Sequence, residues 1–123
     1  MKMLTIYLPS TKQNETESFY VNNFGFYRLT AHGPVVWLKN SSGITLGIEE
    51  VEQAESFPPT FRLEFKTESR QEAEEILDSF RKQGADITYP LFPSSEVHIA
   101  YTVRDPDQRP VMVVWMQDTN NRF

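Results

Sequence analysis

Glu49, Glu64 and His98 are the side chains whose types come closest to a reactive or metal-ligating set in this sequence. Carboxylate oxygen and imidazole nitrogen are what a divalent cation needs. Each also has a simpler role: Glu49 at a fraying strand end, Glu64 paired with Arg62 or Lys66, and His98 on a half-exposed strand. Ser94, Ser95, Glu96 and His98 include the residue types of a hydrolytic triad, but no elbow glycine accompanies them, so the cluster reads as a loop. The absence of cysteine excludes a thiolate nucleophile, a disulfide framework and a Cys-based metal site. Gly43 is isolated, so no glycine cluster cradles a phosphate. Glu72, Glu74 and Glu75 form the solvated face of a helix, partly balanced by Arg70, Arg81 and Lys82.

The chain that must position these residues has 123 amino acids, enough for one compact core, and is expected to be a single domain over residues 1–123. Hydrophobic residues make up 39%, with nine Phe, five Tyr and two Trp, which argues for a folded globule. A net charge of −5 without any Lys/Arg block disfavours nucleic acid as a partner. It suits a solvated acidic surface, or a groove that attracts cations. The apolar run from Met3 to Leu8 is too short for a signal peptide or a membrane span. The expectation is a soluble cytoplasmic protein with no membrane partner.

Met3 to Leu8 alternates like a half-buried strand, with Leu4, Ile6 and Leu8 on one face and Thr5 and Tyr7 on the other. Ser10 and Gln13 read as a capping box for a helix that runs through Phe19 and Tyr20 to Asn23 and stops at Gly25. Strands are predicted at Phe26 to Ala31, Val35 to Lys39 and Ile44 to Glu49. Phe61 to Thr67 restarts the pattern, with Phe61, Leu63 and Phe65 facing one way and Arg62, Glu64 and Lys66 the other. Ser69 with Glu72 caps a second helix, whose apolar face is Ala73, Ile76, Leu77 and Phe80 and whose stop is Gly84. Strands then follow at about Asp86 to Tyr89, Val97 to Arg104 and Pro110 to Gln117. The fold class is α+β: two βαβββ modules, about 1–50 and 61–123, joined by a linker at 51–60. Such a duplication gives a cupped, mostly antiparallel eight-strand sheet with helices on the convex side.

The pair Phe19-Tyr20 before Gly25, the strand Val36-Trp-Leu-Lys39 before a glycine turn, and the hairpin Val103-Arg-Asp-Pro106 occur in an order and spacing that resemble the glyoxalase, bleomycin-resistance and extradiol-dioxygenase superfamily, the vicinal oxygen chelate fold. The resemblance covers nearly the whole chain. It departs from the wider pattern at Gln108, where the turn usually has Gly, and at Pro110, which cannot donate to a ladder and so should begin the last strand or sit at an edge.

The resemblance implies metal ligands on the concave face of each module. The corresponding positions carry Thr5, Arg62, Met112 and either Thr45 or Gly47, a set that cannot bind a divalent cation and in which Arg62 opposes one. No metal, no cofactor and no catalytic residue are therefore expected. The residues expected to line the cup and hold ligand are Thr5, Tyr7, Trp37, Glu49, Arg62, Glu64, His98, Met112 and Val114. The face of Trp37 depends on a one-residue choice of register.

The function implied is that of a metal-free binding protein of the bleomycin-resistance type, a homodimer that sequesters a small aromatic or cationic organic compound such as an antibiotic. One alternative is a metal-dependent lyase or dioxygenase-like enzyme with a displaced site, for which Glu49, Glu64 and His98 are the candidates. Another is a structural or regulatory dimer whose cup is filled by its own side chains.

Overall fold

Alternating side chains build the first sheet. The computed structural model describes residues 4–53, 62–90 and 94–117. Strand β1 (Leu4–Ser10), helix α1 (Gln13–Phe24), and strands β2 (Tyr27–His32), β3 (Val35–Lys39) and β4 (Ile44–Glu50) come first. The sheet order is β1-β4-β3-β2, with β1 parallel to β4 and the other neighbours antiparallel. Leu8, Ile48 and Val36 form one buried row across it, and Leu46 and Leu38 belong to the next. Because side chains alternate at a period of two, these rows share the face on which α1 packs. Thr16 and Tyr20, one helical turn apart, are the buried residues of α1. Gly25 ends the helix in the left-handed conformation, at φ 69°.

The expected capping box at Ser10 and Gln13 does not form. β1 runs through Ser10, and the N-cap of α1 is Lys12, without a side-chain cap bond. The Ser10 hydroxyl instead accepts the Lys12 N–H at 3.1 Å. Gln13 Nε2 donates to the carbonyls of Pro34 and Ile48, at 2.8 and 2.9 Å.

The second sheet contains β5 (Leu63–Lys66), β6 (His98–Arg104) and β7 (Pro110–Met116), in the order β5-β7-β6, with α2 (Arg70–Lys82) between β5 and β6 in the chain. Here the local signals hold. Ser69 Oγ accepts the Glu72 N–H at 3.1 Å, Gly84 adopts φ 72°, and the Ala85 N–H closes the helix end on the Phe80 carbonyl at 3.0 Å. Ile99, Tyr101, Val103, Val111 and Val113 are buried on one face. Tyr101 marks that face as the one under α2, because its hydroxyl donates to the Ala73 carbonyl at 2.9 Å. Pro110 opens β7, the central strand, at a position where no inner ladder donor is required.

Among the described residues the strands form two sheets, of four and three strands, rather than the single eight-strand sheet expected. The strand expected at Asp86 to Tyr89 is reduced to one bridge, in which Thr88 and Thr102 exchange N–H···O bonds of 2.9 and 2.8 Å. Backbone groups two residues apart point to the same neighbour, so Pro90 stands where the next donor towards β6 would be, and it has no N–H to give.

The chain divides into two compact units, one of residues 1–58 with the turn Asp105–Asp107 and the other of residues 59–104 and 108–123. Most of the expected linker, residues 54–60, and Phe61 lie outside the described residues. Among the described residues no helix is long and apolar enough to cross a membrane.

Candidate functional site

In the first unit the register places Tyr7, Gly47 and Trp37 side by side on three adjacent strands. The Tyr7 ring lies directly on the Gly47 backbone; a Cβ at position 47 would stand 2.6 Å from the ring carbons Cδ1 and Cε1. Trp37 Nε1 donates to the Tyr7 hydroxyl at 3.3 Å. Tyr7 is thus fixed at its face and at its tip while 55% of its surface stays exposed. The row Thr5–Thr45–Lys39 lies on one side of this pair and Pro9–Glu49–Val35 on the other. Thr5, Tyr7, Trp37 and Glu49 therefore share the face opposite α1, and the register question over Trp37 is decided in favour of the Tyr7 side.

In the second unit Glu64, Met112 and Thr102 form one row, Lys66, Val114 and Ala100 the next, and Met116 and His98 the one beyond. All lie on the face opposite α2, and Arg62 is exposed just before β5. Val114 is buried and Met112 half-buried. Glu64 and His98 flank β7 on opposite sides and several residues apart along it. Two strand spacings and that offset separate them by more than about 10 Å, too far to share one ion. Ser95 does not serve His98 as a nucleophile serves a base: its hydroxyl accepts the Val97 N–H at 3.3 Å and its backbone pairs with that of His98.

A polar cluster at the start of α1 was missed in the sequence reading. Asp107 Oδ2 accepts the hydroxyls of Ser10 and Thr16 at 2.5 and 2.6 Å, and Oδ1 accepts the Thr11 N–H at 2.9 Å and its hydroxyl at 3.2 Å. Burial pushes this carboxyl up, but the bonds from Ser10, Thr16 and Thr11 outweigh it and hold Asp107 below the usual carboxylate range. The Asp107 N–H in turn donates to Asp105 Oδ1 at 2.9 Å, and the Tyr20 hydroxyl donates to Asp105 Oδ2. The signal that was available is the Asp-Pro-Asp turn itself, whose carboxylates invite hydroxyl partners.

No protein-family model matches the sequence, and no curated protein matches it. Solved structures share its fold. A possible glyoxalase from Bacillus cereus is similar with a TM-score of 0.77 and 18% identity, over 92% of this chain and 97% of that one. Lactoylglutathione lyase from Agrobacterium tumefaciens is similar with a TM-score of 0.69 and 18% identity, over 92% of each chain. An antibiotic binding protein from a Streptomyces species is similar with a TM-score of 0.69 and 16% identity, over 94% of this chain and 95% of that one. The chain thus has the fold of the glyoxalase, dioxygenase and bleomycin-resistance proteins.

At the positions where the resemblance implies metal ligands, the described residues are poor donors. Thr5 pairs with Thr45, and Glu64 stands beside Met112. Among the described residues no three His, Asp or Glu side chains converge on a point where an ion could sit. Hydroxyl and thioether groups are weak substitutes for carboxylate and imidazole as ligands.

Proposed function

We propose that the protein binds a small aromatic or cationic organic compound, such as an antibiotic, on the platform made by Tyr7 and Trp37, without a metal. The observation that carries this reading is the pinned Tyr7 ring: it is held by Gly47 and by the Trp37 indole, yet more than half exposed. A rigid aromatic surface gives stacking affinity at little entropic expense and also accepts a cation on its face. Glu49, one row along on the same face, supplies negative charge for a cationic ligand, and the chain as a whole carries −5. The antibiotic binding protein of the same fold supports this class of ligand.

A thermal-shift screen of antibiotics and aromatic amines tests the reading. A ligand at a hundred times its dissociation constant should stabilise the fold by about 2.7 kcal/mol. Tyr7→Ala and Trp37→Ala should each abolish that shift without unfolding the chain. The reading fails if no compound stabilises the wild type, or if both variants respond as it does.

A further inference from the structure

We propose that the second unit carries a separate small-molecule site, a pocket of about 560 Å³ between α2 and the residues Tyr89, Pro90 and Ser94, that takes an organic ammonium ion. The volume is within the range of about 300 to 1,000 Å³ usual for ligand pockets. Its base is apolar, from Leu77 and Ile99. Ile99 belongs to the sheet face under α2, so the pocket lies on the other side of the sheet from Glu64, Met112 and His98.

The charges decide the class of ligand. Arg70, Glu74, Asp78 and Arg81 line the pocket from one stripe of α2, so the four formal charges cancel, but their engagement differs. Arg70 is committed in three directions: Nε to Glu74 at 2.8 Å, Nη1 to the Ser95 carbonyl, and its guanidinium 5.6 Å from the Trp115 ring centroid. Arg81 Nη2 is held by the Tyr89 hydroxyl at 3.0 Å. Asp78 approaches Arg81 only at 3.7 Å, beyond hydrogen-bond range, and its side chain is 64% exposed. The pocket therefore offers a lightly engaged carboxylate above an apolar base, beside a Tyr89 ring that is 49% exposed. Carboxylate, aromatic face and apolar base together recognise an ammonium group on a hydrophobic body.

The test is an amide-shift titration by NMR of the full chain with phenethylammonium, with phenylacetate as the anion of matching size. Phenethylammonium should move the amides of Leu77, Tyr89 and Ile99 saturably, phenylacetate should not, and Asp78→Asn should weaken binding about fivefold, the upper range for one exposed charge pair. Asp78 is exposed, so this variant should keep the wild-type spectrum elsewhere. Tyr7→Ala should leave the titration unchanged, which separates this site from the Tyr7 platform. The proposal is overturned if no saturable shifts occur, if phenylacetate binds as tightly, or if Asp78→Asn binds like the wild type.

Discussion

The hydroxyl of Tyr20 donates to Asp105 Oδ2 at 2.7 Å, and both side chains are buried, at 0% and 1% exposure. Two stretches that look independent in the sequence, Phe19-Tyr20 and the Asp-Pro-Asp turn, are thereby one bonded unit. Phe19, Phe24 and Phe26 pack around the Tyr20 ring with centroids 5.0 to 6.2 Å away, so the ring is placed by apolar neighbours and the hydroxyl by the carboxylate.

Tyr20→Phe keeps that packing and removes one donor to a buried carboxylate. A hydrogen bond to a charged group is worth about 1.5 to 3 kcal/mol. Urea denaturation should show a loss of that size with an unchanged slope. A loss below about 0.5 kcal/mol would mean that the bond contributes nothing net.

Asp107 makes the same turn sensitive to acid. Its folded pKa is depressed, so the stability it contributes is fully present above the unfolded carboxylate value, near about 4, and is lost as pH falls through the folded value. Asp107→Asn should be less stable than the wild type at pH 7 and approach it as both are taken below about pH 4. A stability difference that stays constant from pH 7 to pH 2 would show that the carboxylate charge is not what Ser10, Thr11 and Thr16 recognise.

Gln108 follows that turn with φ 67°, the left-handed region that costs a side-chain-bearing residue roughly 1 kcal/mol or more. Its carbonyl accepts Arg104 Nη1 at 2.9 Å, a bond to the backbone that any residue could make. Gln108→Gly should relieve the strain and, after the added freedom of the unfolded chain, stabilise by up to about 1 kcal/mol. A lower melting temperature for the glycine variant would contradict this.

What the sequence disclosed and what it hid follow one division. Ser69, Glu72 and Gly84 act within a single helix, and their pattern was sufficient to place α2. Ser10 was ambiguous because it can be the end of a strand or a cap, and only the pairing of Ser10 with Glu50 decides between them. The Asp86 to Tyr89 strand failed at Pro90, which matters only once Thr88 faces Thr102. In the candidate site the face of Glu64 was legible from alternation and the place of Met112 came from the resemblance, whereas the stacking of Tyr7 on Gly47 was not legible. That contact depends on a parallel register between residues distant in the chain.

Gly47 is consequently the most direct test of the binding platform. In Gly47→Ala the new Cβ would overlap the Tyr7 ring, with 2.6 Å between carbon centres, so the ring must leave the sheet. Since Tyr7 is already half in solvent, it can swing outward, and the stability loss should stay at or below the roughly 1 to 3 kcal/mol of an overpacked site. Trp37 Nε1 then loses its partner, which indole fluorescence should register. If an aromatic ligand stacks on this platform, Gly47→Ala must weaken it as strongly as Tyr7→Ala does, although position 47 offers the ligand no side chain. A folded Gly47→Ala variant that binds with wild-type affinity would place the ligand elsewhere.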